Sequence, residues 1–396
     1  MRLAICSLSA LLCCTSAQAD VFDVFEELQP VSTWVSSNNS SLNLDSCCDD
    51  SECGNSGCTS AGCGCRTAPA PTMIGGSSLG VPESLQDASE IHYFTNFYTR
   101  VAENNSAIPQ DRVYFNYKFL NDVPVAKDQG ANARDWDSDF SHYELGLEKT
   151  LFDGNVSVEL LLPFSYGPES ANSSAVGIQG SDVELQNIAF GLKALLLAND
   201  SKAITAGVRI EAPSKEDRLE LNFITLPEEV WTVTPYLATL INLNDDLFFQ
   251  AFASYRLQTD DFRSDGVIVT SREPNYFDLD AQLGYWLYRN TGGSGLTGLQ
   301  AKTEIHYTGT FEPYDVTGNF PNVPEVRGET DQLNLTTGLT AIVNDRTTIT
   351  AGIVLPIREG SDYTLTIGID PTRPHPSDRF FDWQANLQVN YYFGNQ

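Results

Sequence analysis

Beyond its N-terminal apolar run, this sequence has no stretch of the roughly 18 consecutive apolar residues that a transmembrane helix requires. Basic residues are also few: 23 lysines and arginines stand against 52 aspartates and glutamates, a formal charge of −29. Nucleic-acid phosphates are held by clustered positive charge, so this balance argues against nucleic acid as a partner. It favours a well-solvated surface that attracts cations. Methionine occurs twice and histidine four times. No nucleophile elbow, P-loop, HExxH or EF-hand pattern is present, and a Ser–His–acid site could be recognised only by geometry. The sequence therefore predicts no catalytic residue, no metal site, no cofactor and no enzyme.

What the sequence does have is alternation. From Trp383 onward one set of residues reads Trp383, Ala385, Leu387, Val389, Tyr391, Phe393, and the other reads Gln384, Asn386, Gln388, Asn390, Tyr392. A transmembrane β-strand needs about 9–11 residues, apolar toward lipid and polar toward a lumen, with aromatics at the interfaces. This segment meets each condition, and its aromatic end resembles the C-terminal signature of bacterial outer-membrane barrels. A mean hydropathy of −0.21 does not oppose that reading, because half of each spanning strand faces inward.

The same pattern recurs upstream. Candidate strands fall near 112–120, 140–151, 155–166, 184–197, 202–213, 230–242, 246–258, 276–289, 299–311, 331–343, 346–358 and 382–393. Every second connection is short and rich in Asn, Asp and Gly, as at Phe152–Asn155, Asn199–Ser201, Asn244–Asp245, Asn290–Gly298 and Asn344–Asp345. These residues tolerate left-handed backbone angles and suit tight hairpins. The intervening connections are long and polar. The fold class predicted is all-β: an antiparallel transmembrane β-barrel of about twelve strands, with short periplasmic turns and longer outer loops. The terminal strand should close the ring against the one near Arg112–Leu120.

Apolar stripes such as Ile349, Ala351, Ile353, Leu355, Ile357 would face lipid. The opposite faces carry Lys118, Glu144, Glu148, Glu159, Lys193, Arg209, Glu211, Arg256, Asp278, Asp280, Lys302 and Glu304, the candidate lumen-lining residues. Two roles fit them: pairing across strands to hold register, or lining a watery passage and setting its ion preference. His142 beside Glu144 and His306 beside Glu304 read as parts of a polar lumen network. Acidic segments at Asp135–Asp139 and Asp260–Asp265 would add a cation-attracting vestibule.

The N-terminal part is different. Met1-Arg2, an apolar run and Ala17-Gln18-Ala19 predict a secretory signal peptide over 1–19. Residues 20–65 form a cysteine-rich region containing Cys47, Cys48, Cys53, Cys58, Cys63 and Cys65. In an exported compartment an even set of close cysteines favours disulfides, within the chain or to envelope partners. A metal–thiolate cluster is the alternative. Residues 66–111 read as a linker to about Pro82 and then a strand-like segment, Ile91–Val101, that either plugs the barrel or lies in the periplasm. Because a thirteenth wall strand would make the count odd, this segment is expected outside the wall. The barrel itself is assigned to 112–394.

Several strand motifs are familiar in order: Glu144-Leu145-Gly146-Leu147-Glu148-Lys149, the strand Leu160 to Phe164, and Ile188 to Lys193. Arg209-Ile210-Glu211-Ala212-Pro213 and Val233-Thr234-Pro235-Tyr236 continue them. Over residues 112 to 394 the chain resembles the outer-membrane barrel family labelled for a MetA pathway of phenol degradation. That resemblance implies transport of small solutes across the bacterial outer membrane, hydrophobic or aromatic compounds among them. It brings no catalytic residues. The rival expectation is an anchoring envelope protein whose cysteine-rich head is cross-linked.

Overall fold

The computed structural model describes residues 68–79, 83–86, 90–94, 97–128, 135–168, 181–199, 201–214, 218–221, 224–227, 231–258, 262–263, 269–272, 275–290, 292–311, 314–318, 327–328, 331–358, 379 and 381–393. The expected signal peptide and all six candidate disulfide cysteines lie outside these residues.

Twelve described strands form the wall: β1 (Arg112–Asp128), β2 (Asp135–Leu151), β3 (Val156–Pro168), β4 (Ile188–Asn199), β5 (Lys202–Ala212) and β6 (Thr232–Asn242), then β7 (Leu247–Gln258), β8 (Tyr276–Arg289), β9 (Leu296–Thr310), β10 (Asp331–Val343), β11 (Thr347–Pro356) and β12 (Trp383–Tyr392). Each pairs antiparallel with its sequence neighbours, and β12 returns to β1 in the register Tyr392↔Arg112 through Trp383↔Asn121. The sheet thus closes on itself and leaves no free edge along the wall.

Closure separates the two faces of every strand. Along β12 the apolar positions Trp383, Leu387 and Tyr391 are exposed, while Gln384, Asn386, Gln388 and Asn390 are buried. Leu279, Leu283, Tyr285 and Leu287 of β8 are likewise exposed, as are Ile349, Ile353 and Leu355 of β11. A soluble protein buries such residues and exposes amides; here the arrangement is reversed.

Turn chemistry explains the short ends. Phe152, Asp153 and Gly154 all have positive φ (51°, 54°, 86°), and so do Asn344 and Asp345 (51°, 55°). Apart from Phe152, these are residue types that tolerate this geometry, and they sit where the hairpins turn. Inside the wall, Gly146 and Gly207 sit opposite Tyr114 and Tyr236, whose rings occupy the space a Cβ would need, at 1.9 Å and 2.3 Å. The aromatic rings therefore cover backbone that side chains elsewhere would cover.

Some connections differ from expectation. β1 and β2 continue to Asp128 and Asp135, well beyond 120 and 140, because their ladder extends past the end of β12. The connections expected as loops also carry strands: Ser181–Leu185 pairs with β3, and Arg218–Leu221 pairs with Ile224–Pro227. Segments 262–263, 269–272, 314–318 and 327–328 join as one small sheet built from two neighbouring connections. Their turn-rich composition hid short cross-strand pairings.

Residues 68–111 depart most from a linker. Glu90–Phe94 pairs with the far end of β1, beyond where β12 stops, so it lies outside the twelve-strand ring. Ser78–Leu79 pairs antiparallel with Phe97–Tyr98. On either side of that pairing, residues 72–77 and 100–110 are buried inside the barrel. One arm, 68–77, runs from the short-turn end toward the long-loop end; the other, 99–111, returns and leads directly into β1.

Candidate functional site

The candidate site is the barrel interior. Strand alternation points Lys118, Glu144, Glu148, Lys193, Arg209, Glu211, Arg256, Asp278, Asp280, Lys302 and Glu304 inward, and all are buried. The Glu159 side chain is 12% exposed, from the same face. Unpaired buried charges are costly, and these are arranged in three groups.

The first group spans β1 to β5. Glu148 accepts from Arg112 Nε at 2.8 Å, Lys193 Nζ at 2.8 Å and Ser157 Oγ at 2.7 Å. Glu159 accepts from Tyr114 Oη at 2.6 Å and Arg209 at 3.2 Å. The Arg112 guanidinium also stacks 4.5 Å above the Tyr114 ring. Glu211 is buried in the field of Arg256 and Arg209.

The second group centres on Glu144, which takes Asn116 Nδ2 at 2.7 Å, Lys118 Nζ at 3.1 Å and His142 Nε2 at 3.1 Å, with Thr99 Oγ1 also bonded. Lys118 in turn reaches Glu103 of the internal segment at 2.9 Å.

The third group lies on β8 and β9. Asp278 pairs with Arg256 at 3.3 Å and with Arg100 at 3.4 Å. Asp280 takes Arg100 at 3.0 Å and His306 Nδ1 at 2.7 Å. Glu304 accepts the backbone N–H groups of Ile74 and Gly75 at 2.7 and 2.8 Å, and Lys302 donates to Thr72 O at 2.7 Å.

Arg209 of β5 donates to Arg100 O at 3.1 Å, so candidate charges on β1, β2, β5, β8 and β9 contact residues 72–75 and 99–103 of the same chain. Neutral amides of β12 do likewise: Gln388 Nε2 donates to Ile74 O at 2.6 Å, Asn386 Nδ2 to Gly75 O at 3.0 Å, and Gln384 Oε1 accepts from Ser77 N at 3.1 Å. Sequence reasoning missed the internal partners Arg100, Glu103, Ile74 and Gly75. A buried arginine in a segment otherwise short of charge (Arg100, flanked by Thr99 and Val101) was the available signal.

Among the described residues, no group of three His, Cys, Asp or Glu has a geometry that could hold a metal ion. No described helix is long and apolar enough to cross a membrane. The wall itself is apolar outside, polar inside and edgeless, which is the architecture that lets strands satisfy every backbone group in lipid.

No family model matches the chain, and no curated protein sequence matches it. Solved structures do. An outer membrane channel from Pseudomonas putida F1 is 11% identical, with a TM-score of 0.49, covering 75% of this chain and 100% of that one. A KdgM porin in complex with disordered oligogalacturonate is 10% identical, with a TM-score of 0.37, covering 71% of this chain and 99% of that one. The Pseudomonas putida toluene transporter TodX is 8% identical, with a TM-score of 0.33, covering 71% of this chain and 87% of that one. Likenesses of this depth leave function to be argued from this chain's own residues.

Proposed function

We propose that this chain is a bacterial outer-membrane, porin-like channel or transporter for small solutes, held closed by its own residues 68–77 and 99–111. The observation that carries this reading is the inverted barrel: leucines, isoleucines and aromatics outside, and ionisable and amide side chains inside. A polar interior has no purpose in lipid unless something polar occupies or traverses it. Here backbone N–H and C=O groups of the internal segment occupy it, so passage requires that segment to shift. The family resemblance of the strand motifs adds hydrophobic or aromatic compounds as a candidate cargo. Selection would act through lumen width and wall polarity, with no covalent chemistry.

Planar-bilayer recording and liposome flux test this. A heat-modifiable, folded barrel should conduct, with closures reflecting the internal segment. Folded protein that neither conducts under any applied voltage nor passes small solutes would sink the channel reading.

One observation favours a second reading. The interior is filled to the point that Arg100, Ile74 and Ala102 are fully inaccessible, as suits a plugged membrane anchor whose cysteine-rich region joins envelope partners by disulfides. Non-reducing gels of isolated membranes separate the two, since high-mass species that collapse with reductant would support anchoring.

A further inference from the structure

His306 sits where both arms of the internal segment meet the wall. It is fully buried on β9, directly across from Asp280 of β8 and two residues from Glu304. Its Nδ1 hydrogen-bonds Asp280 Oδ1 at 2.7 Å. Its Nε2 lies 3.1 Å from Glu304 Oε2, close enough to pair as charges although off the line of a hydrogen bond. Each carboxylate also holds one arm. Glu304 caps the amides of Ile74 and Gly75 on the rising arm. Asp280 takes Arg100 of the returning arm, and Arg100 is further fixed by Tyr307 O at 3.1 Å and by Thr308 Oγ1.

The chemistry of that position is restrictive. A neutral imidazole has one N–H and can serve one carboxylate; the protonated ring serves both. Without a cation between them, Asp280 and Glu304 would be two buried carboxylates in repulsion, balanced only from their outer sides by Arg100 and Lys302. The other charged groups facing this cluster are Lys302 and Asp278 from the wall, and Glu103 from the returning arm packs against Gly75.

We propose that His306, as its imidazolium, is the latch that couples the two arms of the internal segment to the β8–β9 wall, so that loss of its positive charge releases both arms together. The proposal rests on the closed-channel reading for its consequence but not for its test. Gly76 offers that test: a Cβ placed there would lie 3.3 Å from Val354 Cγ1 of β11 and also 3.3 Å from His306 Cδ2, so each yield is compared with that of the folded His306→Lys variant as well as with the parent. In the full-length chain carrying Gly76→Cys and Val354→Cys, mild oxidation should link the rising arm to the wall, and mass spectrometry of non-reduced peptides reads that one linkage apart from the native cysteines.

Adding His306→Gln should lower the yield of this linkage several-fold while heat-modifiable migration shows the barrel still folded. Further adding Asp280→Asn, which removes one of the two facing carboxylates, should restore much of it. Should His306→Gln fail to fold, the His306→Lys variant, which keeps a cation between the carboxylates, is expected to fold and to link as well as the parent. An unchanged yield in a folded His306→Gln variant overturns the latch, and so does a loss of linkage in a folded His306→Lys variant. A lowered yield without any rise in conductance would leave the latch standing and count against the channel.

Discussion

Two walls of the same barrel grip the internal segment by different means. On β12 the grip is neutral: Gln384, Asn386 and Gln388 exchange hydrogen bonds with the backbone of Ile74, Gly75 and Ser77. On β8 and β9 it is ionic: Glu304 and Asp280 bind backbone amides on one arm and a guanidinium on the other. The neutral wall can be released at modest cost, because each of its bonds exchanges for one to water, worth about 0.5–1.5 kcal/mol net. The ionic wall cannot, because breaking one side leaves an uncompensated buried charge, at about 3–5 kcal/mol. Amides thus guide the segment, and charges lock it.

Substitutions ranked by expected effect can break or sharpen that contrast. Glu304→Ala should have the largest, since it orphans two buried amides and leaves His306 facing only Asp280. Chemical unfolding of the refolded barrel should show a loss of about 3–5 kcal/mol. If the loss is no larger than for an amide substitution, the two walls do not differ in kind. Arg100→Gln comes next, at about 3 kcal/mol or somewhat less, because Asp278 keeps Arg256 while Asp280 keeps only His306. Conductance should rise in parallel as the returning arm loosens.

Gln388→Ala should cost only about 1 kcal/mol and leave the rising arm docked, as judged by its protection from exchange. The smallest effect belongs to Asp111, where the segment enters β1. Partial burial works to raise its carboxyl, but hydrogen bonds from Lys149 and Thr150 outweigh that and hold it below the ordinary aspartate range. A depressed carboxyl stabilises the fold above its ordinary titration range and loses that contribution as pH falls through its lowered value. Asp111→Asn should therefore cost a small part of the stability at neutral pH and flatten the acid dependence, the gap from the parent closing below about pH 4, as read from unfolding midpoints across that range.

Much of the wall was legible because strand period and turn chemistry are local signals. The boundaries of β8 and β10, at 276–289 and 331–343, can be read from alternation between an Asn–Asp or Asn–Gly turn and a polar connection. The closing pair β12–β1 follows from the same logic. The inward face was legible too, since parity alone separates Glu304 from Ile305. What those inward charges bind was not. Thr72 to Ser77 contains two adjacent glycines, which in isolation reads as linker, yet the bare backbone there gives wall carboxylates and amides room to reach the main chain of Ile74 and Gly75. At Gly75, φ is +82° and a Cβ would collide with Glu103 at 2.6 Å, so the pass of one arm over the other requires glycine. Contacts across more than two hundred residues, such as Gly75 with Glu304, leave no periodic trace in sequence.

Hydrogen exchange at Ile74 and Gly75 in the full-length chain tests the account most directly. If the segment is threaded through the barrel and locked by Glu304, amides in a peptide spanning residues 72 to 77 should be protected to the same degree as those of β9. Exchange at the rate of free chain, with the wall strands still protected, would contradict it.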